Sequence, residues 1–451
     1  METIQPWEQL TALVKSTDAE GARDFMESLE PLETVRVVSR LEEDVRAQLL
    51  SLLSPEDAAE VIEHMPDAHA SEALENLSPT EAARILEELP SNTQADLLGD
   101  LEDVDAEAIL AEMEPEDAQE LRELAAYPED TAGGLMITEM VQVPVGLSVD
   151  QVVDHFRQSS EEYSGYDVQY AYVVGVRGEL VGVLRLRDLL MAPVRTKVEN
   201  LMLRDPHSVR IDAGLSELVH FFEEHHFFGA PVLDHEGVLC GVLRKSGVEA
   251  AVSDQGAETF RRTQGIVGGE ELRSMPLLLR SRRRLAWLSV NILLNVFAAS
   301  VIAMHQETLE AVIALAVFLP IISDMSGCSG SQAVAVSLRE LTLGTIRASD
   351  LGAVLMGEIL LGLINGVVLG ILIGCVAWIW QGSPWLGLVV GGALAVNTTL
   401  AVCIGGVIPL ILKKAKKDPA LASGPILTTI TDMCGFFLVL TMAAFFLEKL
   451  R

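Results

Sequence analysis

From residue 1 to about 125 the apolar positions recur at helical spacing and do not alternate. Two segments repeat with a period of 24: Leu53-Ser54-Pro55 matches Leu77-Ser78-Pro79, and Met65-Pro66 matches Leu89-Pro90. Each unit opens with a capping serine, a proline at the first helical position and an acid three residues after the serine, Asp57 or Glu81. Ala58, Val61 and Ile62 then recur at helical spacing, as do Ala82, Ile85 and Leu86. A weaker third start stands at Glu114-Pro115-Glu116-Asp117. Units of this kind bury one another's apolar faces, so an all-α helical-repeat N domain is predicted over 1–127.

The period changes near residue 137. Ala171-Tyr172-Val173-Val174, then Leu180-Val181-Gly182-Val183-Leu184, is matched by Ala230-Pro231-Val232-Leu233, then Leu239-Cys240-Gly241-Val242-Leu243. Helical segments at 149–160 and 215–226 precede the two strand pairs, so tandem α/β units are predicted within 128–250. A connecting helix over 251–280 leads into 281–451, where five apolar spans are readable: 285–304, 310–338, 351–380, 384–412 and 424–447. Twenty helical residues cover roughly 30 Å, the thickness of a bilayer's hydrocarbon core, so each is long enough to cross. The second span is expected to break at Pro320 and at Ser326-Gly327-Cys328-Ser329-Gly330. Broken backbone persists at membrane depth only against a cavity or inside protein.

Charge separates the two halves. The 451 residues hold 65 acids and 32 bases, a net charge of −33. Residues 1–130 carry 35 of the acids and 7 bases, whereas 271–451 carry only 10 acids and 13 bases. Such a chain repels phosphate backbones, which argues against a nucleic-acid partner. An acidic half joined to an apolar half also excludes a single globular enzyme, and no nucleophile elbow, phosphate loop or zinc pattern is present. Five cysteines without close pairing imply no disulfide framework. The opening METIQPWEQL has neither a basic nor an apolar region, so no cleaved leader is expected and the acidic half is expected in the cytosol. Arg280, Arg282, Arg283 and Arg284 precede span one, Arg339 and Arg347 follow span two, and Lys413, Lys414, Lys416 and Lys417 follow span four. The loops at 305–309 and 381–384 have no Lys or Arg, which predicts a cytosolic N-terminus and an external C-terminus.

The chemistry of the apolar half is oxygen chemistry, since no span holds a histidine. Asp432 lies about a third of the way into the last span. An acid at that depth costs on the order of 2.5–3.5 kcal/mol on insertion scales, so it is expected to face a watery path or a cation. Thr428, Thr431 and Gly435 are expected on its helical face. Asp324 is the next candidate, with Ser326, Ser329, Ser331 and Gln332 supplying further oxygens. Glu358 is read as snorkelling to the cytosolic surface, and Asn291, Asn295, Asn365 and Asn397 as hydrogen-bond partners between helices. Such a donor set suits Mg²⁺, which dehydrates reluctantly and needs few direct ligands and room for its waters.

The tandem units resemble a pair of CBS domains (a Bateman module). The resemblance implies an adenine-nucleotide site, ATP being the expected ligand, at Tyr170, Arg187 and Asp188; the second copy has Gly247 where the first has Asp188. The whole order of parts resembles the MgtE family of bacterial magnesium channels. The junction Tyr127-Pro128-Glu129-Asp130-Thr131-Ala132-Gly133-Gly134-Leu135-Met136 carries this likeness, as do Pro320 with the Gly-rich stretch ending in Gln332, and Asp418-Pro419-Ala420-Leu421 leading to Pro425 and Thr431-Asp432. The resemblance implies a homodimer with a Mg²⁺-binding pore at Asp432. It also implies cytosolic Mg²⁺ sites at carboxylates, here Glu258, Asp418 and Glu60, that hold the connecting (plug) helices in the closed state.

The chain departs from the family pattern in two places. Cys328 and Ser331 stand where the family has asparagine, Gly424 stands where asparagine is also usual, and Asp324 replaces a small residue, so Co²⁺ or Mn²⁺ is expected to pass beside Mg²⁺. Gly214, Ser216, His226, Gly247 and Thr259 stand where acids serve cytosolic Mg²⁺ sites, so cytosolic gating is expected to be weak, shifted or carried by other acids. The sequence therefore reads as a homodimeric inner-membrane Mg²⁺ channel regulated by its N and CBS domains. Two alternatives are a carrier exchanging Mg²⁺ or Co²⁺ with H⁺ or Na⁺, and a membrane-anchored sensor of cation or nucleotide that does not transport.

Overall fold

The computed structural model describes residues 5–160, 163, 166, 168–266, 275 and 277–450, and divides into two units, 1–254 and 255–451. The first opens with helices α1 (Pro6–Lys15), α2 (Ala19–Glu27), α3 (Pro31–Val38), α4 (Glu43–Leu52), α5 (Pro55–Glu63), α6 (Asp67–Glu75), α7 (Pro79–Leu86), α8 (Ser91–Asp100), α9 (Asp103–Leu110) and α10 (Pro115–Ala125). Each 24-residue repeat is a helix pair, α5 with α6 and α7 with α8. Ser54 Oγ accepts from the Asp57 amide at 3.2 Å. Ser78 and Glu81 cap each other, with Glu81 N donating to Ser78 Oγ at 3.3 Å and Ser78 N to Glu81 Oε2 at 3.1 Å. Ala58, Val61, Ile62, Ala82, Ile85 and Leu86 are buried, as their spacing requires. The weaker third start is α10, with Pro115 at its first position.

A short helix, α11 (Ala132–Leu135), leads into two α/β repeats. The first is β1 (Val141–Pro144), α12 (Val149–Gln158), β2 (Tyr170–Val174), β3 (Leu180–Arg185), α13 (Leu186–Met191) and β4 (Leu203–Arg204). The second is β5 (Val209–Arg210), α14 (Leu215–Glu224), β6 (Gly229–Leu233), β7 (Leu239–Arg244) and α15 (Lys245–Thr263). In each sheet the first strand runs parallel to the second and the second antiparallel to the third, with β4 added at the edge of the first sheet. The motif at 127–136 is explained by close packing. A Cβ on Gly134 would fall 2.4 Å from the Pro128 carbonyl, and one on Gly133 2.7 Å from the Tyr127 ring. Ala132 N and Gly133 N donate to the carbonyls of Ala213 and Ile211, at 2.8 and 2.9 Å, stitching the junction to the second repeat. One apolar cluster accordingly runs from Leu10 through Leu86 and Leu124 to Ile211, Leu218 and Leu243. Glu139 secures the other side: Ser91, at the start of α8, donates to it through N at 2.7 Å and through Oγ at 2.9 Å.

The connecting helix differs from the expected 251–280. It is α15, which begins inside the second repeat at Lys245 and ends at Thr263, with a turn to Ile266. The remainder of the expected helix at 267–274 and 276 lies outside the described residues.

The second unit contains α16 (Leu277–Met304), α17 (Gln306–Ala311), α18 (Leu315–Thr342), α19 (Leu351–Gln381), α20 (Pro384–Lys414), α21 (Pro419–Phe445) and α22 (Leu447–Leu450). Among the described residues, four helices are long and apolar enough to cross a membrane: α16, α19, α20 and α21. The expected second span is the exception, because α18 has the length but carries Asp324, Arg339, Glu340 and a run of serine and glycine.

The expected break in that span is corrected. The chain turns at residues 312–314, and α18 then runs unbroken through Pro320 and Ser326 to Gly330. Backbone groups shielded from water must be satisfied internally, which favours helix over an open segment. The small residues serve contact instead: a Cβ on Gly405 of α20 would lie 2.2 Å from the Gly330 carbonyl. The same device joins α19 to α20. Gly366 faces the Ala395 carbonyl, Gly370 the Gly391 carbonyl and Gly374 the Gly387 carbonyl, where a Cβ would stand at 2.4, 2.6 and 2.8 Å.

Candidate functional site

Asp432 sits mid-way along α21 and is 8% exposed in the isolated chain. Its Oδ1 accepts from Ser323 Oγ of α18, one residue before the Asp324 that sequence singled out. Ser323 is the main residue that sequence reasoning missed. The available signal was a hydroxyl beside an acid on a helix already read as lining the path. Thr431 is 1% exposed and its hydroxyl donates back to the Thr428 carbonyl at 3.0 Å, so it is engaged within α21. Thr428 lies on the exposed side and its hydroxyl donates to the Gly424 carbonyl at 2.9 Å.

On α18 the candidates part company. Asp324, Cys328, Ser331 and Gln332 form an exposed stripe, whereas Ser326 and Ser329 are buried. Ser326 Oγ donates to the Ile322 carbonyl at 2.8 Å and accepts from Asn397 Nδ2 at 2.8 Å. Asn397 thus joins helices, as expected of it. Glu358 lies against α20: its Oε2 is buried with no hydrogen-bond partner among the described residues, and its Cγ lies over Gly406, where a Cβ would come within 2.6 Å. Among the described residues, no three His, Cys, Asp or Glu side chains of one chain converge as a metal cluster.

Two of the three expected regulatory carboxylates meet. Arg262 of α15 donates through Nη1 to Asp418 Oδ2 at 2.8 Å and through Nη2 to Glu258. Asp418 also caps α21, its Oδ1 accepting from Ala420 N at 2.8 Å. Arg262 was missed, although its i,i+4 spacing from Glu258 is a readable pairing signal. The third, Glu60, lies in the other unit, in a cleft of about 320 Å³ lined also by Arg23, Glu27, Asp57 and His64.

In the first α/β repeat Asp188 is held by Arg185 Nε at 2.6 Å and lies 3.6 Å from Arg187 Nε. Tyr170 pairs across the sheet with Arg185 and lines a narrow cleft with Ile137, Phe228 and Arg244, a cleft that Arg187 and Asp188 do not line.

Known proteins match this arrangement piece by piece. Residues 319–442 match the MgtE divalent cation transporter family, 7–130 the MgtE intracellular N domain, and 132–195 and 198–253 the CBS domain. The magnesium transporter MgtE of Thermus thermophilus is 32% identical over 340 residues, 74% of each chain. That of Bacillus subtilis is 29% identical over 339 residues, 75% of this chain and 74% of its own. A crystal structure of the cytosolic domain of the Mg²⁺ channel MgtE in complex with ATP aligns with a TM-score of 0.50 at 32% identity, covering 54% of this chain and 99% of that one. Together with the apolar helices these matches identify a multi-pass membrane protein with a helical N domain and a CBS pair. The chain belongs to the MgtE family of divalent cation transporters.

Proposed function

We propose that the chain is a homodimeric channel of the inner membrane that admits Mg²⁺, and with it Co²⁺ or Mn²⁺, down the membrane potential. The observation that carries this reading is Asp432: a carboxylate sunk in an apolar helix and met by one hydroxyl, Ser323. Two such carboxylates from paired subunits would hold a hydrated cation by charge and by hydrogen bonds to its waters. The exposed stripe of Asp324, Cys328, Ser331 and Gln332, with Thr428, supports α18 as a fifth crossing that lines the path beside the partner. Five crossings agree with the basic loops, which favour a cytosolic N-terminus and an external C-terminus. Moving charge +2 through 100 mV supplies about 4.6 kcal/mol, so inward flow needs no coupled fuel.

The cytosolic regions would regulate this path. Glu258 and Asp418 are the carboxylates best placed to answer cytosolic Mg²⁺, and Glu60 the candidate on the N domain. The likeness to an ATP-bound relative supports ATP as a ligand of the CBS pair near Tyr170 and Asp188. The deciding experiment is Mg²⁺ uptake into proteoliposomes at fixed potential, comparing wild type with Asp432→Ala. Uptake that follows potential and vanishes in the variant supports the channel. Electroneutral, proton-dependent uptake would favour an exchanger, and equal uptake in both proteins would move the site elsewhere.

A further inference from the structure

Asn397 of α20 has no exposed surface and reaches both α18 and α21. Its Nδ2 donates to Ser326 Oγ of α18 at 2.8 Å and to the Thr431 carbonyl of α21 at 3.0 Å. Ser326 in turn donates to the Ile322 carbonyl at 2.8 Å. The two carbonyls reached in this way belong to the residues immediately before Ser323 and Asp432, the hydrogen-bonded pair of the cation site. Gly435, on the same face of α21, lies against the amide, and a Cβ there would stand 2.7 Å from Nδ2.

The other end of the amide is unsatisfied: Asn397 Oδ1 is buried with no hydrogen-bond partner among the described residues. A buried acceptor left unpaired costs about 1–3 kcal/mol, a cost that leucine, of similar volume, would not carry. Packing alone therefore does not account for an amide here, whereas the two donor contacts of Nδ2 do.

We propose that Asn397 is a positioning residue for the cation site: it fixes the height of α18 against α21 and so sets where Ser323 meets the Asp432 carboxylate. The proposal rests on reading Asp432 as the cation's site. It assigns Asn397 no contact with the ion. Its consequence is that the affinity and the ranking of divalent cations depend on a side chain buried behind the path.

The test uses the full chain in proteoliposomes, with Mg²⁺, Co²⁺ and Mn²⁺ as probes, and thermal melting of the same samples. Asn397→Leu is expected to melt at or above the wild-type temperature yet to raise the Mg²⁺ half-saturation by about fivefold or more, since sub-ångström misplacement weakens a preorganised site. The preference among the three cations shifts with it. Gly435→Ala, which pushes the amide from the other side, is expected to move half-saturation in the same direction and to add nothing further in the Asn397→Leu background. Wild-type half-saturation and ion ranking in Asn397→Leu overturn the proposal, as does a wild-type-like Gly435→Ala should the leucine variant not fold. If the wild type itself carries no cation, the channel reading falls and this inference with it.

Discussion

Arg262 bridges Asp418 and Glu258, its Nη1 standing 2.8 Å from Asp418 Oδ2. The two carboxylates on which a cytosolic cation would act therefore already share a tethered one. An incoming Mg²⁺ must displace a guanidinium that lies part-exposed, where an ion pair is worth up to about 1 kcal/mol. Arg262→Gln should lower the Mg²⁺ concentration that half-protects the cytosolic region from protease by about twofold to fivefold. Unchanged protection in the variant would mean that the arginine does not compete with the metal.

Ser323→Ala removes the one hydroxyl seen to donate to Asp432. Hydrogen bonds to a charged group are worth about 1.5–3 kcal/mol, so the variant should raise the Mg²⁺ half-saturation for uptake about tenfold or more. Asp432→Ala should abolish uptake. Wild-type uptake curves for Ser323→Ala would show that the hydroxyl leaves the carboxylate when the cation binds.

The glycine contacts of α19 with α20 set a stability difference within one helix. Gly366→Val places a branched side chain where even a Cβ falls 2.4 Å from a backbone carbonyl, whereas a Cβ on Gly357 meets nothing within 4 Å. Overpacking costs about 1–3 kcal/mol or more. Thermal melting in detergent should show Gly366→Val well below wild type and Gly357→Val within a degree or two of it.

His69 is buried in α6, and burial together with the nearby Arg46 guanidinium pushes its pKa down to about 4 from its usual 6.5. The unfolded chain takes up a proton near pH 6.5, whereas the folded chain resists until about 4. Stability from this site is therefore complete above pH 6.5 and is lost as pH falls toward 4, by up to about 3 kcal/mol. The unfolding free energy measured between pH 7 and pH 5 should fall more steeply in the wild type than in His69→Gln.

Much of this fold is legible in the chain. The capping serines before Pro55 and Pro79, the paired strand patterns and the apolar runs each express a local rule, and helix, sheet and span follow. The unbroken α18 was not legible, because proline and glycine signal interruption in water, while a packed apolar setting penalises open backbone more than it penalises Pro320. The site divides in the same way. Asp432 stands out as a lone acid in an apolar run. Ser323 does not, since it matters through Asp432, distant in sequence. Asn397 could be read as a partner between helices, but not that it joins them through Ser326 and Thr431, and Arg262 could be paired with Glu258 but not with Asp418. The junction at 127–136 could be recognised as a motif, but the need for two glycines shows only once the Tyr127 ring and the Pro128 carbonyl are seen against them.

The seam between α19 and α20 also bears on how the protein enters a membrane. The two helices are joined at Gly382, whose φ of 70° closes α19, and at Ser383, which caps α20, so the hairpin turn is short and uncharged. Along Gly366, Gly370 and Gly374 the backbones touch too closely for an acyl chain to pass between them. A hairpin of this kind is expected to enter the bilayer as one object: its turn carries no charge, and the two legs fit each other at their glycines. During synthesis α19 should therefore wait for α20 at the insertion machinery, and the pair should act as the seed on which the more polar α18 assembles.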